Sequence, residues 1–255
     1  MMKGMVSLIG AGPGDPELLT VKAARRLREA DLMLHDALVP EAVIALAGRA
    51  RAFDVGKRAR RKSTPQETIH RIMIQAALRG ERVARLKGGD PFVLGRGGEE
   101  ALALAAAGIP FEVIPGVSSA IAAPALAGIP VTHRGITSGF IVVSGHSPDS
   151  YRSLLAGALP NSATVIVLMG VTHRRAVAEF LIHQGWRTDT PAALVLAAST
   201  PEASTVVSRL DEIGQLPLPL TDAPGTLVIG DVVSLADRIA IAENLHPVLE
   251  KGVPA

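Results

Sequence analysis

Apolar and polar positions fall into two textures along the chain. Residues 5–9 form a short apolar run that ends in Gly10-Ala11-Gly12-Pro13-Gly14-Asp15, which predicts a strand and then a tight turn. Asp15 predicts an N-cap with Pro16 at the first helical position. Leu18, Leu19, Ala23, Ala24 and Leu27 follow as a stripe at helical spacing. Residues 32–35 and 52–55 predict a second and a third strand. Thr64-Pro65-Gln66-Glu67 reads as a capping box, and Ile69, Ile72, Met73, Ala76 and Ala77 continue as one helical face. A strand over 82–86, a glycine-rich loop over 88–98, a helix over 99–107 and a strand over 111–114 complete the first half. Such alternation predicts a parallel sheet covered by helices.

After Pro115-Gly116 the pattern changes. Strands are expected over 141–143, 165–168, 193–196, 205–207 and 227–229, and the clearest helix over 174–183. A hairpin-like turn at Pro201-Glu202 would join two of these strands, so a mixed sheet is expected. The fold class is α/β with two domains, 1–116 and 117–255, and the tail after Leu245 is expected to fray. The uncharged run 113–133 is long enough to cross a bilayer, but Pro115, Pro124 and Pro130 break it into shorter elements. Residues 5–9 are too short for the core of a signal peptide, so a cytoplasmic soluble protein with no membrane partner is expected.

Composition narrows the chemistry. With 255 residues, the chain can bury roughly 70–75% of its unfolded surface and needs no covalent staples. It has no cysteine, which excludes disulfides, thiolate metal sites and cysteine nucleophiles. A net charge of +2 and 3% aromatic residues argue against nucleic acid as a partner. The seven histidines and the acids show no metal-ligand spacing, so no metal is expected.

Two glycine loops stand out. Gly10-Ala11-Gly12-Pro13-Gly14 lies where a dinucleotide fingerprint would, and Asp36 follows 26 residues after Gly10, where a ribose-binding acid belongs. Pro13-Gly14-Asp15 departs from that fingerprint and puts a negative charge where a pyrophosphate wants bare N–H groups. A nicotinamide or flavin enzyme and a ligand-free tight turn both remain open at this point. The second loop, Gly88-Gly89-Asp90-Pro91-Phe92-Val93-Leu94-Gly95-Arg96-Gly97-Gly98, holds five glycines in eleven residues directly after a strand. Gly88-Gly89 would expose backbone to a ligand, and Asp90 adds a fixed negative charge. The rival reading is a flexible surface loop.

Three segments together resemble the uroporphyrinogen methylases of the tetrapyrrole methylase superfamily. They are 6–16, 86–100 with Glu99 and Glu100 at its end, and Ile129-Pro130-Val131-Thr132-His133-Arg134. The likeness runs from about Val6 to Val232. It implies a parallel N-terminal sheet and a mixed C-terminal sheet, with S-adenosyl-L-methionine bound in the cleft between the domains of a homodimer. It implies donor contacts from Pro13, Gly88, Gly89, Asp90, Val93, Ser118, Ser119, Met169 and Ala198, with Pro224-Gly225-Thr226 nearby. Relatives often carry Thr-Ala at 118–119 and Gly at 198, and the substitutions here are small. The implied activity is C-methylation of uroporphyrinogen III at two ring carbons (C2 and C7), giving precorrin-2 and S-adenosyl-L-homocysteine. Precorrin-2 leads to cobalamin, sirohaem or related tetrapyrroles. A stand-alone methylase is expected from the chain length.

The same resemblance gives Asp36 and Lys57 the roles of proton acceptor and donor. Each has a plainer alternative: a strand-end cap or ion pair for Asp36, and one charge of the solvated run Lys57-Arg58-Ala59-Arg60-Arg61-Lys62 for Lys57. Arg96 and Arg134 are the arginines expected to meet the substrate carboxylates, with Glu99 orienting Arg96 or accepting from a pyrrole N–H. Their alternative is bracing loops through carbonyl groups. Met169 fits core as well as ligand, and His146 fits a hydrogen-bonded structural histidine better than a base. The rivals are a later precorrin methylase, a nicotinamide oxidoreductase, and an RNA-binding module built on the basic run.

Overall fold

The computed structural model describes residues 3–56, 64–217 and 223–239. Lys57, the rest of the basic run 57–62 and the tail after Leu245 lie outside the described residues. In chain order the first half runs β1 (Val6–Gly10), α1 (Val21–Glu29), β2 (Leu32–His35), α2 (Glu41–Ile44), β3 (Arg51–Asp54), α3 (Gln66–Leu78), β4 (Val83–Lys87), α4 (Gly97–Ala106) and β5 (Phe111–Ile114). The second half runs α5 (Ser119–Leu126), β6 (Phe140–Ser144), α6 (Arg152–Ala156), β7 (Thr164–Leu168), α7 (Arg174–His183), β8 (Pro191–Leu196), β9 (Ser204–Arg209), α8 (Leu210–Ile213) and β10 (Gly225–Ile229).

The first five strands form a parallel sheet in the order β3-β2-β4-β1-β5. Alternating side chains point to opposite faces. Leu32 and Leu34 join Val6, Leu8 and Val83 in a core closed by Ile69, Met73, Ala76 and Ala77 of α3 and Leu104 of α4. Met33 joins Ile9, Ala84, Leu86 and Ile114 in a second core closed by Ala23 and Leu27 of α1 and Val43 of α2. Both faces of β1 and β4 are covered, which explains their uninterrupted burial.

The second sheet is mixed, in the order β6-β7-β10-β8-β9. Only β6 and β7 run parallel, and β8 and β9 form the expected hairpin. Tyr151, Leu155, Val177, Leu181 and Trp186 pack on one face, and Ala120 of α5 with Ile129, Val232 and Val233 on the other. Thus α5, the helix that leaves the first sheet, already packs on the second.

Two local expectations need correction. The stripe from Leu18 to Leu27 is not one helix: a short 3-10 turn over Pro16–Leu18 is capped by Asp15, and α1 starts afresh behind Thr20. The capping box at Thr64 does not form. Pro65 is the N-cap of α3, and no side chain caps that end. The Gln66 side chain reaches α4 instead and donates to Glu100 (3.0 Å).

The edge strand β5 is held by charge. Glu112 accepts from Arg26 of α1 (2.5 Å) and Ser7 of β1 (3.0 Å), and its other oxygen pairs with Lys22 (2.6 Å). Burial pushes the Glu112 carboxyl up, but the hydrogen bonds from Arg26, Lys22 and Ser7 outweigh it and bring it down to about 2. A carboxyl with a lowered folded value contributes stability above its unfolded range and loses it as pH falls through the folded value. Glu112→Gln should therefore cost roughly 1–3 kcal/mol at neutral pH. Its Tm deficit against wild type should shrink as pH drops from about 5 to 2. Thermal unfolding across that range checks this, and a deficit independent of pH would refute it.

Candidate functional site

Three loops leave the carboxyl ends of β1, β4 and β5, where the strand order changes direction and open sheets form their crevices. They meet backbone to backbone. A Cβ on Gly116 would lie 2.3 Å from the Gly89 carbonyl oxygen, and one on Gly10 would lie 2.5 Å from the Gly116 backbone. Only glycine permits that approach. Gly12 and Gly89 exchange backbone hydrogen bonds (3.2 and 2.8 Å), and the Ala11 N–H donates to the Lys87 carbonyl (2.7 Å). The first glycine loop thus spends these N–H groups on its neighbour, which removes the basis for a pyrophosphate reading.

Asp90 ties the same loops. One carboxylate oxygen accepts from the Phe92 N–H (2.8 Å) and the other from the Gly116 N–H (3.0 Å). Gly88 is exposed, with open space where a Cβ would stand, and Gly89 has a left-handed φ of +64° beside Ser118 and Ser119. Ser118 is the N-cap of α5 and accepts from the Ala120 N–H (3.2 Å). Pro13 and Val93 flank these segments at partly open positions.

The remaining candidate donor contacts lie on loops of the second sheet. Met169 follows β7 and is half exposed, while Ala197 and Ser199 bracket Ala198 after β8. Met169, Ala197 and Ser199 all have left-handed φ, of 57°, 47° and 69°. Leu94 and Arg96 in the β4–α4 loop do too, so five strained residues gather in the segments singled out from the sequence. The Ala197 N–H donates to the Pro224 carbonyl (2.8 Å), which puts Pro224-Gly225 beside the Ala197–Ser199 segment. Across the molecule, the Asp15 N–H donates to the Ser199 hydroxyl (2.6 Å) and joins the first glycine loop to the β8–β9 turn. Ser199 was not singled out from the sequence; a run of small residues after a strand was its only signal.

Asp36 ends β2 with its carboxylate about one third exposed. It accepts from Arg85 (2.5 Å), whose side chain is 3% exposed and whose Nε donates to the fully buried Glu100 (2.9 Å). Lys87 donates to the same Glu100 oxygen (3.1 Å). Burial, then the nearby Arg85 charge, pushes the Lys87 ammonium below the usual lysine range. Arg85, Lys87 and Glu100 were also missed from the sequence. Two charges on one face of an otherwise apolar central strand were the available signal. Gly56 approaches so closely that a Cβ would lie 2.0 Å from the Ala37 N, so the chain that leads toward Lys57 runs beside Asp36.

Arg96 and Glu99 pair fork to fork on the first turn of α4 (2.9 and 2.6 Å). The hydrogen bond to Glu99 raises the Arg96 guanidinium, and the same bond lowers the Glu99 carboxyl. Both stand about half exposed. Arg134 stands exposed on the loop closed by the His133–Thr137 pairing, and no described ion pair holds it or joins it to Arg96. His146 is exposed, and its backbone N–H donates to Ser144 (3.3 Å). Among the described residues, no helix is long and apolar enough to cross a membrane, and no group of three or more His, Asp or Glu is placed to hold a metal.

Comparison with known proteins agrees with this geometry. The sequence profile of the Tetrapyrrole (Corrin/Porphyrin) Methylases matches residues 5–214. The chain is 43% identical over 244 residues to a sirohaem synthase of Azotobacter vinelandii, covering 94% of this chain and 53% of that protein, so it spans about half of that relative's length. It is 41% identical to a uroporphyrinogen-III C-methyltransferase of Methanocaldococcus jannaschii, covering 92% of this chain and 99% of that one. A solved uroporphyrin-III C-methyltransferase of Thermus thermophilus, complexed with S-adenyl homocysteine, superposes with a TM-score of 0.78 at 42% identity, covering 91% of this chain and 100% of that one. The chain belongs to the tetrapyrrole methylases.

Proposed function

We propose that the protein transfers methyl groups from S-adenosyl-L-methionine to C2 and C7 of uroporphyrinogen III, giving precorrin-2. The observation that carries this reading is the junction of three glycine loops, closed backbone to backbone at Gly10, Gly89 and Gly116, with the main chain at Gly88 left open beside it. A ligand can approach the main chain there, and the matched structure with S-adenyl homocysteine supports the choice of ligand. In this reading Pro13, Gly88, Gly89, Val93, Ser118, Ser119, Met169 and Ala198 line the donor site. Asp90 holds the loop with one lone pair of each oxygen and offers the remaining ones to the donor's ammonium.

The donor supplies an electrophilic methyl group. The residues' task is to hold an electron-rich pyrrole carbon in line with it, which is a positioning problem more than one of activation. Arg96, oriented by Glu99, and Arg134 meet the carboxylates of the tetrapyrrole. Asp36 takes the proton released from the methylated ring and Lys57 returns one where the ring needs it. A junction between domains at Gly116, a homodimer, a cytoplasmic location and delivery of the product to cobalamin or sirohaem synthesis belong to the same reading.

Gly88→Val tests the donor site without touching the packing. Wild-type Tm should be kept, and calorimetry should show S-adenosyl-L-homocysteine affinity at least tenfold weaker. Gly116→Ala should instead lose roughly 1–3 kcal/mol of stability. Binding of NAD with no affinity for the homocysteine product would overturn the assignment.

For the substrate, charge-assisted hydrogen bonds contribute about 1.5–3 kcal/mol each. Arg96→Ala should therefore raise KM for uroporphyrinogen III by roughly 10- to 150-fold, with donor affinity within a few-fold. Anaerobic steady-state kinetics beside donor titrations check this, and an unchanged KM and kcat would remove Arg96 from the substrate site.

A further inference from the structure

We propose that Arg85, held in turn by Glu100, is the positioning residue that fixes the Asp36 carboxylate toward the substrate; this rests on the proton-accepting reading of Asp36 given above. Asp36 stands at the end of β2, one third exposed, where a free carboxylate would rotate among several orientations. Arg85 removes that freedom. Its Nη2 donates to Asp36 at 2.5 Å, while its Nη1 donates to the Leu86 and Leu34 carbonyls (3.2 and 3.4 Å). Its Nε is bound to Glu100. All three nitrogens of the guanidinium are thus committed, so the fork has no alternative rotamer.

Glu100 is fixed just as firmly. One of its oxygens accepts from Arg85, Lys87 and Gln66, drawing on β4 and α3. Its other oxygen is buried with no partner among the described residues, a cost that an ordinary packing residue would not carry. Glu100 also follows Glu99 on the first turn of α4, so the cluster that aims Asp36 anchors the turn bearing Arg96. Proton acceptor and substrate-binding arginine are thereby set against one buried group. In the step served, a ring C–H bond breaks, the proton goes to the Asp36 carboxylate, and the bonding pair neutralises the cation left by methylation.

The test is a double-mutant cycle on the full chain with uroporphyrinogen III and S-adenosyl-L-methionine under anaerobic conditions. Asp36→Asn should lower kcat at least a hundredfold. Arg85→Lys keeps the charge but not the fork, and should lower kcat by 10- to 100-fold with substrate KM and donor affinity within threefold. The double variant should be no slower than Asp36→Asn alone. Arg85→Lys that folds and keeps wild-type kcat, beside a slow Asp36→Asn, would overturn the positioning role and leave the proton reading standing. A wild-type kcat in Asp36→Asn would overturn both, and a wild-type chain that yields no methylated product would take down the activity as well. Losses that multiply in the double variant would mark Arg85 as structural only. Should Arg85→Lys fail to fold, Asp36→Glu takes its place: the buried cluster stays intact and the carboxylate moves by one methylene. A kcat reduced at least tenfold is then expected, and an unchanged kcat would overturn the proposal.

Discussion

A carboxylate cut off from water must be neutralised by what packs around it, and Glu100, on α4 against the central strand β4, is such a group. Taking an ion out of water costs several kcal/mol, and the cost is recovered only by close partners with good geometry. Glu100 has three donors on one oxygen, from β4 and α3, and it sits on α4. It therefore clamps helices to strand with charge where the neighbouring contacts of Leu104, Met73 and Ala76 do so by apolar burial. Removing one partner of such a pair typically costs about 3–5 kcal/mol, far more than the intact pair contributes over a hydrophobic replacement. The arrangement is better understood as specifying geometry than as adding stability. It sets the start of α4, and through Arg85 it reaches the exposed end of β2.

The second constraint is the absence of side chains. Gly10, Gly89 and Gly116 lie so close that the loops share backbone hydrogen bonds, and Asp90 bridges two of them. The junction of these loops is therefore set by main chain, and its shape does not depend on flexible side chains. Met169, Ala197 and Ser199, at the ends of two strands of the second sheet, all have left-handed φ. Such strain persists only where surrounding structure over-determines it.

Much of this was legible in the sequence. Strand positions followed from apolar runs between turn signals, because a buried parallel sheet leaves few polar interruptions. The glycine loops and the distinction between parallel and mixed sheets were legible for the same reason. Local signals failed where tertiary contacts overrode them. Thr64-Pro65-Gln66-Glu67 has the letters of a capping box, yet Gln66 finds Glu100 and Pro65 takes the cap. Leu18 and Leu19 keep helical spacing but fall in a separate turn, because Thr20 restarts the helix. Arg85 and Lys87 drew no reading from the sequence, because only the packing of α3 and α4 above them turns those charges into a buried cluster. Lys57 and its basic neighbours lie outside the described residues, so the Gly56 approach to Ala37 is what the structure adds there.

The hydrogen bond between Asp15 and Ser199 spans 184 residues of chain. Its consequence concerns time as much as space. The first glycine loop emerges early in synthesis, whereas the turn that receives it is made only after β8. Contacts so distant in sequence carry a large loop-closure cost and form late in folding. The nascent chain thus carries the first glycine loop without its distant partner through most of its translation. The contact closes only when most of the polypeptide has left the ribosome, so a chain interrupted before β8 would carry the first glycine loop without the hydroxyl that receives it.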